Sequence, residues 1–190
     1  MPAKTDLKAA VILSALKQAA EIGWAHVSLK DIADGANISL AEMHDHFEDK
    51  FDILAGIERM IDKQVLANLS GFSPEDSERD RLFDILMDRF EVLNEHRAGL
   101  TSILQSMTLD PKQAVIALPH LCRSMCWMLE SAGISTYGVK GALKVAGLAG
   151  IYAKTLRVWV KDDSPDLAKV MAALDKDLGR VENWAGSLGL

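Results

Sequence analysis

The residue types best suited to chemistry in this chain are two histidines, His44 and His46, and two cysteines, Cys122 and Cys126. Side chains two positions apart on a helix do not face each other, so the histidines are poorly placed to converge on a metal ion. The cysteines lie four apart in an apolar helical stretch, where buried free thiols are the expected state in a reducing compartment. We therefore expect no metal site and no cofactor.

Enzyme motifs are also missing from the sequence. The chain contains no glycine-rich phosphate loop, no nucleophile elbow and no H-E-x-x-H segment. The acidic pair Asp162 and Asp163 lies where a helix is predicted to end, which is typical of solvated or helix-capping residues. An enzyme is the least supported class, and we expect a protein without catalytic activity.

Two serines mark the helices around which the chain is organised. Ser28 and Ser39 each precede a short helical stretch and have an acidic residue three positions on, the spacing of a capping box. Gly35 is predicted to end the first of these helices in a left-handed conformation. A long helix is predicted after Asp49. Two short helices joined by a tight turn indicate a helix-turn-helix.

The segment from Ser28 to Leu54 resembles the helix-turn-helix of the TetR family of bacterial repressors. That family has the pattern T-x-x-x-I-A-x-x-A-G-V-S-x-G-x-L-Y-x-H-F-x-x-K-x-x-L. The positions that match, allowing conservative exchanges, are Ser28, Ile32, Ala33, Ala36, Ile38, Ser39, Met43, His46, Phe47, Lys50 and Ile53 or Leu54. The resemblance implies an all-α, TetR-like fold of about nine helices. It places a three-helix DNA-binding-type head at 1–48 and a larger helical ligand-binding and dimerisation body at 49–190.

The same resemblance implies a surface that reads DNA. In a dimer, the second helix of the motif would enter successive major grooves of a duplex. The residues that the resemblance assigns to DNA binding are Ser28, Ser39, Leu40, Ala41, His44 and Lys50, with Ser28 and Lys50 holding phosphates. The sequence departs from the family at two positions, because Asn37 replaces the turn glycine and His44 replaces the usual tyrosine.

The charge of the head departs from that of a DNA reader. Residues 1–52 contain five lysines and nine acidic residues, a net charge of −4, and the reading helix has neither Arg nor Lys. Neutralised phosphates supply most of the affinity for DNA, and Arg or Lys often recognises guanine. The whole chain of 190 residues carries a net charge of −6, which also argues against indiscriminate binding of nucleic acid.

The C-terminal half resembles a second family, the lipid-binding proteins of ubiquinone biosynthesis, which share the TetR fold without acting as repressors. The likeness lies in residues 118–128, 147–155 and 159–174. Its clearest units are A-G-I-Y-x-x-T from Ala149 and W-x-x-D-x-S-P-D from Trp159. The chain departs from this family after Trp184, where an extra amphipathic membrane-binding helix is not evident.

Both resemblances imply an apolar pocket among the helices of the body. The candidate lining residues are Leu86, Phe90, Leu100, Ile103, Leu104, Met107, Leu121, Met125, Met128, Ile151, Tyr152 and Thr155. Methionine side chains adapt to irregular apolar shapes, and a polar tip such as that of Tyr152 would orient a ligand. The alternative for the same residues is an ordinary filled core.

Apolar residues recur at spacings of three and four along the chain, without the alternation of a strand, which predicts an all-α protein. Pro119 lies inside one predicted helix, and a kink or a break is expected near Leu118. The TetR resemblance implies a homodimer through helices near 136–161 and 166–184. The apolar stripe expected to serve it on the last helix is Leu167, Val170, Met171, Leu174, Leu178 and Val181. The alternative is that this stripe packs inside its own chain.

Two functions follow from the sequence. The first is a TetR-like transcriptional repressor that binds duplex DNA and responds to a small apolar ligand, and the intact H-F-x-x-K unit favours it. The second is an accessory protein of ubiquinone biosynthesis that presents an isoprenoid lipid, or an aromatic head group, to a partner enzyme, and the acidic reading helix favours it. No apolar run is long enough to span a membrane, so we expect a cytoplasmic protein.

Overall fold

The computed structural model describes residues 4–109 and 111–188, and side-chain environments within 7–108, at 112 and within 115–181. The described residues form nine α-helices and no strand, which confirms the predicted all-α class. The helices are α1 Lys4–Ile22, α2 Leu29–Gly35, α3 Leu40–His44, α4 Lys50–Asn68, α5 Glu78–Asn94, α6 Arg97–Leu109, α7 Pro111–Ser131, α8 Gly138–Trp159 and α9 Ala168–Leu188. A short 3₁₀ helix, Trp24–His26, precedes α2.

The first of two compact units comprises Met1–Ile61 and Leu93–His120. Here α1 packs against α6, and a Cβ built on Gly99 of α6 would lie only 2.3 Å from the carbonyl oxygen of Leu16. The absence of a side chain at Gly99 therefore lets these two helices cross closely. The Ser102 hydroxyl accepts a hydrogen bond of 2.8 Å from the amide of Trp24, which ties the 3₁₀ helix to α6.

The second unit comprises Asp62–Val92 and Leu121–Leu190. Its centre is formed by large side chains that are almost completely buried, and α8 packs along α9. The buried set includes Leu86, Phe90, Met125, Met128, Trp159, Val170 and Leu174. These residues recur at helical spacing on α5, α7, α8 and α9, as expected for helices that each bury one apolar stripe.

The turn of the helix-turn-helix differs from the sequence prediction in one respect. Gly35 does end α2, but the left-handed residue is Asn37, with φ of 56°. Asn adopts this conformation more readily than most residues, so the turn keeps its shape although the family glycine is absent. Gly35 is instead required for packing, because a Cβ there would lie 2.4 Å from Oγ of Ser14.

Three further predictions from the sequence concern a break in α7, membrane-spanning helices and a domain boundary. Of the kink or break expected near Leu118, the break does not occur, because α7 continues as one helix through Pro119. Within the described ranges, none of the helices combines the length and the apolar character that crossing a membrane requires. The separation of the chain by function at residue 48 remains a prediction.

Candidate functional site

The serines that were assigned to DNA are engaged as helix caps. The Ser28 hydroxyl accepts a bond from the amide of Asp31 and donates to its carboxylate, and Ser39 makes the same pair of bonds with Glu42. Each carboxylate in turn accepts from the backbone amide of its serine. Both capping boxes predicted from the sequence are therefore present, and they use the serine hydroxyls locally.

The side chain of Lys50 contacts the 3₁₀ helix and the residue that follows it, within the first unit. Its ammonium group donates hydrogen bonds to the carbonyl oxygens of Trp24 and Val27, at 2.9 and 2.7 Å. It also lies 4.2 Å from the centre of the Trp24 ring, where a cation is attracted by the π-system. Burial lowers the pKa of Lys50, against an opposing effect of Asp31. The lysine of the H-F-x-x-K unit thus holds the turn before α2 to the start of α4.

The remaining predicted DNA contacts lie on the outer face of α3. Leu40, Ala41 and His44 are exposed, and 48% of Leu40 is accessible. The carboxylate of Glu42 shares this short helix, and hydrogen bonds from the backbone amide and the hydroxyl of Ser39 lower its pKa. The exposed side chains of α3 therefore include apolar atoms, an imidazole group and a carboxylate whose pKa is lowered.

Half of the predicted ligand-lining residues share the core of the second unit. Leu86, Phe90, Met125, Met128, Tyr152 and Thr155 are buried there, and Leu121 and Ile151 are half-buried in the same unit. The others belong to the first unit, where Leu100 and Ile103 are buried and Leu104 and Met107 are half-buried. The Thr155 hydroxyl donates to the carbonyl of Ile151 in its own helix, at 3.0 Å.

A buried polar cluster, formed by Asp62, Arg89, Ser124 and Tyr152, lies within the second unit. Arg89 is 1% exposed; its Nε donates to the Tyr152 hydroxyl at 2.9 Å, and its Nη1 is paired with the Asp62 carboxylate. The Ser124 hydroxyl donates to the same Asp62 oxygen at 2.6 Å. Burial opposes the charge of Arg89, but Tyr152 and Asp62 outweigh it and raise the pKa of the guanidinium group.

Of this polar cluster, only Tyr152 was predicted from the sequence, and the other three members were not. A signal was present, because Arg89 lies three positions after Leu86 and four before Leu93, on the stripe that α5 buries. A charged residue at such a position requires a partner. The partner, Asp62, lies 27 positions away on α4, and no local pattern links the two residues.

The loop between α8 and α9 is organised by Asp162, which is 1% exposed. One carboxylate oxygen accepts from the amide and hydroxyl of Ser164, and the other accepts from the amides of Lys169 and Val170 at 3.0 Å. The Ser164 hydroxyl also accepts from the amide of Ala168. Residues of the W-x-x-D-x-S-P-D unit therefore cap α9, and Trp159 of the same unit is fully buried.

The stripe expected to mediate dimerisation on α9 is mostly used within the chain. Leu167, Val170, Leu174 and Leu178 are buried in the second unit, whereas Met171 and Val181 remain exposed. Helix α8 has an outer face on which Val139 is 80% and Leu143 58% exposed. Added Cβ atoms at Gly147 and Gly150 would meet nothing within 4 Å, so this face is open to another helix.

Solved structures with the same arrangement of helices are regulators. A TetR transcriptional regulator from Nitrosomonas europaea superposes with a TM-score of 0.71 and 22% identity, covering 91% of this chain and 96% of that one. NalD of Pseudomonas aeruginosa, the secondary repressor of the MexAB-OprM multidrug efflux pump, gives 0.57 and 18%, covering 93% and 97%. The chain has the TetR fold.

A Rhodococcus sp. member of the TetR fold group also matches, with a TM-score of 0.60, 18% identity and coverage of 91% and 99%. At these identities the likeness establishes the TetR fold and nothing about ligand or operator. No curated protein sequence matches the chain. Among the described residues, no group of three or more His, Cys, Asp or Glu side chains is arranged to hold a metal ion.

A model of the COQ9 family matches residues 143–185. The match covers most of α8, the loop that Asp162 organises and most of α9, and it overlaps two of the three stretches that carried the second resemblance. This protein therefore combines the TetR fold with a COQ9-like region, as both resemblances predicted. The region that resembles COQ9 includes Tyr152 of the buried polar cluster and the capped start of α9.

Proposed function

We propose that this protein is a lipid-binding accessory protein of ubiquinone biosynthesis, which keeps the TetR fold without reading DNA. The observation that carries the proposal is the match of residues 143–185 to the COQ9 family. The buried methionines and aromatic residues of the second unit, with Tyr152 among them, support an apolar binding site. In this proposal the protein acts in the cytoplasm and presents an isoprenoid lipid to a partner enzyme.

The chemistry of the head favours this function over a repressor. Ser28 and Ser39 use their hydroxyls as helix caps, and Lys50 donates to backbone carbonyl groups. The remaining candidates on α3 include neither Lys nor Arg, and the surrounding sequence is acidic. Because affinity for DNA depends mainly on neutralising phosphates, this surface is poorly matched to a duplex.

A TetR-like repressor responding to a small apolar ligand is the second candidate. The observation in its favour is that regulators of this fold align with more than 90% of the chain, including the complete helix-turn-helix. Such a protein would bind a palindromic operator as a homodimer and release it when a ligand shifts the population of two conformations.

One experiment distinguishes the two candidates. The protein is purified from its organism of origin, analysed by native mass spectrometry and extracted for lipids, and in parallel it is incubated with genomic fragments at low salt. We expect a co-purifying long apolar lipid and no retained DNA. A lipid-free protein that enriches one palindromic fragment and releases it as salt rises would contradict the accessory function and support a repressor.

We propose that the protein is a homodimer and that the outer face of α8 forms the contact. Val139 and Leu143 supply exposed apolar surface, and Gly147 and Gly150 allow a second helix to approach closely. Met171 and Val181 of α9 supply further exposed apolar atoms. This arrangement agrees with the general preference of soluble oligomers for two-fold symmetry.

A further inference from the structure

The buried polar cluster is not accounted for by stability alone. Arg89 is almost completely buried, and the side chain of its partner Asp62 is 13% exposed. Removing two charges from water costs several kcal/mol per ion, and apolar residues of similar volume often replace such pairs without loss of stability. An ion pair in the core of the second unit therefore suggests recognition of a polar group.

The hydrogen bonds of the cluster leave one end of Arg89 available. A guanidinium group has five N–H donors in a planar fork. The bonds from Arg89 to described residues are one from Nε to Tyr152 and one from Nη1 to Asp62. Asp62 and Tyr152 therefore hold the planar group in one orientation, and Ser124 in turn holds Asp62. The two donors on Nη2 can be met by an oxygen atom of a ligand.

The charge balance of the cluster restricts the class of ligand. One cation, Arg89, and one carboxylate, Asp62, already compensate each other at close range. An anionic head group would add a second buried negative charge without a second cation from this cluster. A neutral oxygen acceptor, such as a carbonyl group, accepts the Nη2 hydrogen bonds and leaves the balance unchanged.

The surroundings of the cluster suit an apolar molecule. The Phe90 ring, next to Arg89 in sequence, stacks on Tyr152 with 5.3 Å between ring centroids. Met125 follows Ser124 on α7, and Met128 lies one helical turn further; both are completely buried. Unbranched methionine side chains can repack around a ligand at low cost. The unit thus offers one fixed polar group within an adaptable apolar core.

We propose that Arg89 binds the carbonyl oxygen of a neutral, apolar ligand, and that Asp62, Ser124 and Tyr152 position the guanidinium group for this contact. The inference rests on the proposed lipid-binding function and adds the chemical class of the ligand. It assigns Arg89 to binding and the other three residues to positioning.

The test compares two probes that differ only in the carbonyl group. An alkyl phenyl ketone and the alkylbenzene of equal length compete with an apolar fluorescent dye for the full-length protein, and a fatty acid of similar length serves as the anionic probe. A hydrogen bond to a charged group predicts that the ketone binds about tenfold or more tightly than the alkylbenzene.

Two variants assign the discrimination to the cluster. The double variant Asp62→Leu/Arg89→Met removes both charges, so no buried ion is left unpaired. We expect its ketone-to-alkylbenzene ratio to fall to near one. Arg79→Met, the same exchange on α5 at an arginine paired with Asp175 near the surface, is the matched control and should keep the wild-type ratio. If the double variant does not fold, Arg89→Lys takes its place. It retains the cation with fewer donors and should lower the ratio of ketone to alkylbenzene affinity.

Three outcomes of this experiment would each contradict a different claim. Equal affinities of the wild type for ketone and alkylbenzene would overturn the role of Arg89 and leave lipid binding intact. Tighter binding of the fatty acid than of the ketone would overturn the neutral ligand class. If none of the three probes displaced the dye, the proposed function itself would be contradicted, and this inference with it.

Discussion

At the scale of single residues, Lys50 has one role predicted from the sequence and makes different contacts in the structure. Lys50 matches the lysine of a DNA-binding motif, yet its ammonium group bonds to the carbonyl oxygens of Trp24 and Val27. These carbonyl groups belong to the first residue of the 3₁₀ helix and to the residue that follows the helix, so the lysine maintains the geometry of the head. A structural role explains why the H-F-x-x-K unit is intact on a surface with acidic character.

Substitution of Lys50 should therefore affect stability. We expect Lys50→Gln to lower the free energy of unfolding by about 1–3 kcal/mol, because hydrogen bonds from a charged donor to two carbonyl groups are lost. Urea denaturation followed by circular dichroism measures the change. Lys30→Gln is the control, since Lys30 is exposed and pairs with Asp34, and it should change little. Equal effects of the two variants would argue against the structural role.

Asp162 is the second residue whose substitution should change the stability of the protein, because it caps α9. Its carboxylate satisfies backbone amides at the start of α9, so Asp162→Ala should lower the free energy of unfolding by about 1–2 kcal/mol. The neighbouring Asp163→Ala is the matched control, because Asp163 is exposed. Comparable losses in both variants, measured by urea denaturation at pH 7, would contradict the capping role.

The same carboxylate predicts a pH dependence. Burial favours the protonated form of Asp162, but the hydrogen bonds from Ser164, Val170 and Lys169 outweigh burial and lower its pKa. The native state then binds this proton less readily than the unfolded chain, whose aspartates titrate at about pH 3.9. The stabilisation is complete above that range and is lost as pH falls through the lowered native pKa. Asp162→Ala should lose less stability than the wild type between pH 7 and pH 3.

At the scale of elements, α8 uses its glycines in two different ways. A Cβ at Gly141 would lie 2.0 Å from the backbone of Thr136, whereas a Cβ at Gly147 would meet nothing within 4 Å. Gly141 therefore allows the turn before α8 to fold back tightly onto the helix. Glycine at position 147 lowers the stability of the helix, and no neighbouring atom within the chain requires it. This supports the proposed contact of the α8 face with another helix.

These two glycines make a matched pair of variants. We expect Gly147→Ala to raise the free energy of unfolding of the monomer by about 0.5–1 kcal/mol, because alanine favours a helix more than glycine does. Gly141→Ala should lower it by about 1–3 kcal/mol, because the methyl group has no room. Thermal denaturation at low protein concentration compares them. A stabilising Gly141→Ala would show that the preceding turn can shift.

At the scale of the whole molecule, charge separates the two candidate functions, whereas the exposed apolar surface concerns the oligomeric state. The net charge of −6 and the acidic head oppose duplex DNA, while the outer face of α8 offers apolar surface for a second subunit. The proposed dimer is compatible with either function. A contact through α8 would leave most of the apolar stripe of α9 to the core of its own unit, where Leu167, Val170, Leu174 and Leu178 are buried.

The dimer prediction is tested on the exposed face of α8. Leu143→Glu places a charge on a side chain that is 58% exposed, so it should leave the monomer fold intact and convert a dimer to monomers. Sedimentation velocity at micromolar concentration measures the change. Val115→Glu is the control, because Val115 is even more exposed but lies on α7. A dimer unaffected by Leu143→Glu would exclude this contact.

The sequence by itself determined the features that depend on neighbouring residues. Apolar spacing, the two serine capping boxes and Asp49, whose carboxylate accepts from the amide of Asp52, predicted helices close to those observed. Such signals are readable because a helix closes its hydrogen bonds within four residues. The two family resemblances likewise predicted the TetR fold and the COQ9-like region.

Only the tertiary structure decided which side chains are free to act. Lys50 matches a phosphate contact in a motif, but its ammonium group donates to the carbonyl oxygens of Trp24 and Val27, which lie 26 and 23 positions away in the sequence. Arg89 looks like one more charge on an amphipathic helix, but packing of α4, α5, α7 and α8 buries it beside Asp62. The reason is physical: local patterns determine secondary structure, whereas burial and the pairing of charges depend on residues that are distant in sequence and meet only after folding.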